Sequence, residues 1–249
     1  MVLKEKYINK RGKAKDMEYE ISTKPKSPVI LEGFPGYGLV GTIVTEFLIK
    51  HLKAKQIGRI NVEEVAPVVA VHDSKVVDPI GIYYDGKYNI IIVHALSAIT
   101  GLEWKLANII ETLAKDLKAK EIISIEGVGN PMAGKDSKAF YLSKNPKFKK
   151  IKVEELKEGI ILGVTGALLL KKNLTQSCIF AETHSQLPDS RAAAKVVEVL
   201  DEYLGLKVDF KPLLKEATLF EGKLKSLMEK AQTAGPRKEA APNKQIYFG

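Results

Sequence analysis

The feature that most constrains the fold is an abrupt change of pattern across one glycine-rich turn. Val29, Ile30 and Leu31 form a short continuous apolar run, whereas Leu39 to Leu52 places apolar residues at helical spacing. Between them lies Gly33-Phe34-Pro35-Gly36-Tyr37-Gly38-Leu39-Val40-Gly41. A buried strand that passes through glycines into an amphipathic helix is a strand–turn–helix unit, the building block of α/β folds.

The alternation continues downstream. Residues 57–62, 68–71, 80–84 and 89–94 read as strands, and Asp85-Gly86 predicts an antiparallel hairpin between the last two. Residues 101–117 carry Leu102, Leu106, Ile109, Ile110, Leu113 and Leu117 on one helical face, and residues 122–125 return to strand. The stretch 127–146 is rich in glycine and proline and reads as a long loop with a short strand near Phe140 to Leu142. A strand or buried turn at Ile160 and Ile161, a helix over 165–171, a strand over 178–181 and a helix over 189–203 follow. The pattern predicts a three-layer α/β sandwich with helices on both faces of a mixed, mostly parallel sheet. Four regions are expected: a basic arm over 1–27, a core domain over 28–210, an amphipathic helix over 211–232, and a linker with a docking tail over 233–249.

Composition narrows the function classes. A chain of 249 residues with 45% hydrophobic content supports a substantial core. The longest apolar run, Ile160 to Leu170, is interrupted by glycines and a threonine and is too short to span a bilayer. The lysine-rich start lacks the apolar core of a secretory signal, so a cytoplasmic protein is expected. Cys178 is the single cysteine, which excludes an internal disulfide and a metal site built from this chain's cysteines alone. The net charge of +9 is spread over the chain without a recognisable nucleic-acid module, so no nucleic-acid partner is expected.

Two constellations invite a chemical reading. Gly36, Gly38 and Gly41 satisfy the dinucleotide-binding spacing, with Glu63 or Glu64 available for a ribose. The alternative is a tight turn with close helix–sheet packing, where glycine is needed only for its backbone. No lysine stands where a P-loop requires one. His72 with Asp73, His94, Glu126, and Glu182 with His184 fall near predicted strand ends, where clefts of α/β folds form. None has the spacing of a zinc site or a nucleophile elbow. No catalytic, cofactor-binding or metal-binding residue is therefore assigned.

The C-terminal section has a different character. Leu213, Ala217, Phe220, Leu224 and Leu227 follow a 4-3-4-3 spacing, which gives a helix one apolar stripe that either its own domain or a partner must cover. A charged, proline-containing segment follows, and then Ile246, Tyr247, Phe248 and Gly249. A linker with an aromatic end suits a tethered recognition peptide; the alternative is a frayed terminus.

The segment Gly33, Phe34, Pro35, Gly36, Gly38 and Gly41 resembles the glycine turn of the proteasome assembly chaperone family. The resemblance runs from about Val29 to Tyr203. It is carried also by Ala95-Leu96-Ser97, by Glu126-Gly127-Val128-Gly129, by Gly159 to Leu170, and by Asp189-Ser190-Arg191-Ala192-Ala193. It implies an α/β sandwich similar in architecture to nucleoside phosphorylases but without their activity, and a structural role for the glycine turn. It further implies a homo-oligomer that binds the proteasome core particle or its α subunits without a cofactor. Proteasome partners of this kind dock through a terminal hydrophobic–tyrosine–any motif. Tyr247-Phe248-Gly249 matches it with phenylalanine in place of the tyrosine, and Ile246-Tyr247-Phe248 matches it with one residue to spare. The first alignment loses the hydroxyl and the second displaces the carboxylate.

Overall fold

The computed structural model describes residues 18–62, 64, 70–72, 75–96, 100–130, 137–184 and 186–215. Eleven strands occur there: β1 (Glu18–Ile21), β2 (Val29–Gly33), β3 (Lys55–Asn61), β4 (Ala70–His72), β5 (Lys75–Val77), β6 (Ile80–Asp85), β7 (Ile90–Ala95), β8 (Glu121–Gly129), β9 (Ala139–Ser143), β10 (Glu154–Glu155) and β11 (Gln176–Thr183). Four α-helices accompany them, α1 (Val40–Leu52), α2 (Glu103–Leu117), α3 (Gly163–Leu169) and α4 (Ser190–Leu204), and residues 211–215 are also helical. Nine strands form one sheet in the order β1-β3-β6-β7-β2-β8-β11-β9-β10, and β4 and β5 form a separate hairpin. The centre of the large sheet, β7-β2-β8-β11, is parallel. Antiparallel pairs flank it on both sides, including the expected β6–β7 hairpin.

Alternation along the central strands divides the core into two layers. Ile30, Ile91, Val93 and Ile122 pack with Leu106, Ile110, Leu113 and Leu168 of α2 and α3. Leu31, Ile90, Ile92, Ile123 and Ile125 pack with Val44, Leu48, Val197 and Leu200 of α1 and α4. Burying both faces of the same strands requires the near-continuous apolar runs seen in β2, β7 and β8, because odd and even positions each face a helical layer. The result is the three-layer α/β sandwich with a mixed sheet that the pattern predicts.

Several local features differ from the sequence reading. β1 lies inside the segment read as an arm and pairs antiparallel with β3, with Tyr19 buried and its hydroxyl donating to Asp116 at 2.6 Å. The fold therefore starts before Val29. Residues 160 and 161 form neither a strand nor a fully buried turn: Ile160 is 91% exposed and Ile161 is partly buried. Leu213, the first residue of the C-terminal stripe, is buried in the α1/α4 core of its own domain, because residues 205–213 fold back after Gly205 closes α4. Ala217, Phe220, Leu224, Leu227 and the tail Ile246, Tyr247, Phe248 and Gly249 lie outside the described residues.

Candidate functional site

The sequence segments that resemble the chaperone family converge at the C-terminal ends of the parallel strands. After β2 the chain turns through Gly33 to Gly38 and enters α1. A Cβ at Gly33 would stand 2.4 Å from the Gly41 carbonyl oxygen, so strand end and helix start touch backbone to backbone. On β8, a Cβ at Gly127 would stand 2.0 Å from the Tyr37 carbonyl oxygen, so the turn rests directly on the neighbouring strand. The Asp189 amide donates to the Gly38 carbonyl at 2.9 Å and ties the start of α4 to the same turn. Asp189 Oδ1 also accepts from the amides of Arg191 and Ala192, which caps α4. The glycines here permit close approach of backbone segments.

Beneath the turn lies an acidic pair. Glu32 is the last side chain of β2 before the turn and is completely buried. It faces the α2/α3 layer beside Ser124 of β8, and the register continues to Cys178 of β11. Glu126, two residues along β8 from Ser124, lies on the same face. Thr165 of α3 closes the group from above: its Oγ1 is 2.9 Å from Glu126 Oε1 and 3.3 Å from Glu32 Oε1. A hydroxyl carries one proton, so Thr165 donates to only one carboxylate at a time. Glu32 Oε2 is buried without a hydrogen-bond partner among the described residues.

The electrostatics follow from this geometry. Burial pushes the Glu32 carboxyl up to about 7, while the nearby Ser124 and Thr165 hydroxyls pull the other way. Burial, followed by the charge of Glu32, pushes Glu126 up to about 8. Two carboxylates this close titrate as one unit, and they hold a proton near neutrality. Burial raises the Cys178 thiol to about 12, so it stays protonated and inert.

Glu126 also lines a cavity of about 550 Å³ between the glycine turn, the end of β8 and the start of α3. Its wall includes Phe34, Pro35, Tyr37, Ile161, Leu162 and Val164, with Glu103 and Thr100 contributed from the α2 side. No lysine or arginine is among the described lining residues. A pyrophosphate at this turn would meet carboxylates rather than cations, which opposes the dinucleotide reading of Gly36, Gly38 and Gly41.

Of the other sequence candidates, His94, Glu182 and His184 do not assemble with Glu126, and Asp73 lies outside the described residues. His72 ends β4 in the separate hairpin. His94 faces the α1/α4 layer, where its Nδ1 lies 2.8 Å from Thr45 Oγ1; burial lowers its pKa and favours the neutral ring. Glu182 accepts from Asn130 Nδ2 at 3.1 Å and lines a second cavity near β10. His184 is exposed beside Asp189. Among the described residues no group of three His, Cys, Asp or Glu side chains is placed to hold a metal ion. No described helix is long and apolar enough to cross a membrane. Sequence reasoning missed Glu32 and Thr165. The available signal was a glutamate inside an otherwise apolar strand, immediately before the glycine turn.

Comparison with known proteins agrees with the convergence of these segments. The PAC2 family model matches residues 30–228. An uncharacterized protein of Methanocaldococcus jannaschii is 30% identical over 214 residues, covering 82% of this chain and 87% of the relative. The structure superposes on Pyrococcus furiosus PbaA, described as an archaeal homolog of proteasome-assembly chaperone, with a TM-score of 0.80 and 32% identity over 88% of this chain and 94% of PbaA. Pyrococcus furiosus PbaB, described as an archaeal proteasome activator, shares the fold with a TM-score of 0.73 at 22% identity, covering 86% of this chain and 99% of PbaB. The chain belongs to the PAC2 family, and its structural neighbours include archaeal homologues of proteasome assembly chaperones.

Proposed function

We propose that the protein is an ATP-independent proteasome assembly chaperone or adaptor that homo-oligomerises and binds the proteasome core particle or its α subunits. The observation that carries this reading is the likeness to PbaA, which extends over 88% of the chain at 32% identity. Among the described residues lining the cavity beside the glycine turn none is a lysine or arginine, which favours a binding protein over a nucleotide-acting enzyme. The contacts to a partner are assigned to Ala217, Phe220, Leu224 and Leu227, and to the segment Ile246, Tyr247, Phe248 and Gly249. Leu213 is excluded from that surface because its own core buries it.

The test is to mix the full chain, and a version lacking residues 245–249, with assembled core particles and with unassembled α subunits. Binding by the full chain and weaker binding by the truncated one supports the proposal. Failure of both to bind either form of the target rejects it. Stimulation of peptide hydrolysis by core particles on addition of the full chain would replace the chaperone reading with that of a gate-opening activator. Phe220→Glu with Leu224→Glu is expected to reduce the assembly mass, because two carboxylates would enter an apolar contact without partners.

A further inference from the structure

We propose that the cavity beside Glu126 is a binding site for an organic cation, namely a primary ammonium or guanidinium carried on an apolar stem. The inference stands apart from the proteasome reading and rests on three features of one place in the fold. The first is the cavity itself, whose volume of about 550 Å³ lies within the range of small-molecule sites and whose wall is largely aromatic and aliphatic. The second is Glu126, which borders that space: Thr165 bonds its Oε1, and Oε2 faces the gap left by the missing Cβ of Gly36, where a methyl group would stand only 2.6 Å away. The third is the fully buried Glu32 beside it, whose Oε2 has no hydrogen-bond partner at full bonding geometry among the described residues.

An orphaned buried carboxylate oxygen is costly and is kept where it serves a purpose. The chemistry of the lining decides among ligand classes. An anion would face Glu103 and Glu126 in the wall, with no described lysine or arginine lining the space to offset them. A neutral apolar molecule would match the walls but leave the carboxylate oxygens unpaired. A metal ion lacks a suitable group of three His, Cys, Asp or Glu ligands among the described residues. An ammonium or guanidinium on an apolar stem satisfies both surfaces, since charge-assisted hydrogen bonds to carboxylate are the strong ones. The titratable groups bearing on the site are Glu32 from β2, Glu126 from β8, Cys178 from β11, Glu103 from α2 and Tyr37 from the turn. The thiol is held protonated by burial, which leaves the two buried glutamates as the groups that respond to a cation.

The experiment is calorimetric titration of the full chain with agmatine and n-pentylamine, using 1-pentanol and valerate as uncharged and anionic counterparts. Saturable binding of the amines, with the alcohol and the acid at least roughly tenfold weaker, is the expected result. Glu126→Gln should weaken the amines at least about tenfold and leave 1-pentanol unchanged. Repeating the wild-type titration at pH 7.5 in two buffers of different ionisation enthalpy provides a readout that does not depend on a variant folding. Amine binding should release protons, because a cation beside the acidic pair lowers the affinity of its carboxylates for them. A capped peptide, acetyl-Leu-Arg-Leu-amide, separates the sources of the cation. Tighter binding than agmatine assigns the site to a protein side chain, and weaker binding to a free amine. Absence of saturable amine binding, equal binding of 1-pentanol, an unchanged affinity in a folded Glu126→Gln, or no proton release would overturn the proposal.

Discussion

Glu121 and Glu126 lie on the same strand, β8, and face opposite layers of the sandwich. Glu121 faces α4 and is almost fully buried, yet both its oxygens are occupied. Ser177 Oγ donates to Oε1 through a very short contact, and the Tyr203 hydroxyl donates to Oε2 at 2.7 Å. Tyr203 in turn accepts from Asn145 Nδ2 at 2.7 Å and stacks on Phe148, which stacks on Tyr141. Glu126 and its neighbour Glu32 instead share the Thr165 hydroxyl, with Ser124 beside Glu32, next to an open space. The contrast teaches that a buried carboxylate is a fastener when its donors are built in. When the donors are missing next to a cavity, it is a site.

That comparison can be broken most severely at the backbone supporting the open site. Gly127→Ala drives a methyl group into the Tyr37 carbonyl and is expected to cost about 3 kcal/mol, measured as a lower denaturation midpoint at constant slope. An unchanged midpoint would mean that the turn moves freely off β8, and the cavity would lose its fixed wall.

Next in size is the fastener itself. Tyr203→Phe keeps the stack on Phe148 but strips Glu121 Oε2 of its donor, with an expected loss of about 2 kcal/mol in chemical unfolding. Glu121→Gln in the same background should recover part of that loss, since an amide tolerates the missing donor better than a carboxylate. No recovery would show that the carboxylate does not need the tyrosine.

The effect of opposite sign belongs to Glu126. Its carboxyl is raised from an ordinary 4.5 to about 8 in the folded chain. The folded chain therefore holds a proton that the unfolded chain has released over the window between those values. Stability is fully present below the ordinary carboxylate range and is lost as pH rises through the folded value, at up to about 1.4 kcal/mol per pH unit for one proton. Glu126→Gln removes this dependence, so its melting temperature should fall less than the wild type's between pH 5 and 8. At pH 8 the variant should be the more stable of the two. Parallel pH profiles for the two proteins would remove the distinction between Glu121 and Glu126.

Much of the fold was legible because local period and tertiary burial agree. The stripe Leu106, Ile109, Ile110, Leu113 and Leu117 predicts α2, and Asp85-Gly86 predicts the β6–β7 hairpin; both occur. The family was legible in the glycine turn and the segments that resemble it, and those segments meet in space. β1 was not legible, because Glu18-Tyr19-Glu20-Ile21 is short and polar and follows a lysine-rich stretch. Its anchors, the pairing with β3 and the Tyr19 hydroxyl on Asp116, join residues far apart in the chain. Leu213 continued a plausible stripe, but Gly205 ends α4 in a left-handed turn and brings the following residues back onto their own core.

By itself the sequence determined the layered α/β class, the strand–turn–helix unit at the glycine turn, and membership of a chaperone-like family, since each depends on periods and motifs contained within short segments. Only the tertiary structure decided that the polar residues at the strand ends form an acidic pair rather than a histidine-containing cleft. Glu32, Glu126 and Thr165 come from β2, β8 and α3, and parallel pairing places them within hydrogen-bonding reach. The same strand separates Glu121 from Glu126 by an odd number of residues, so the pleat turns one toward its donors and the other toward a cavity. Whether a buried glutamate finds donors is set by what the opposite layer presents, and that layer is assembled from distant parts of the chain.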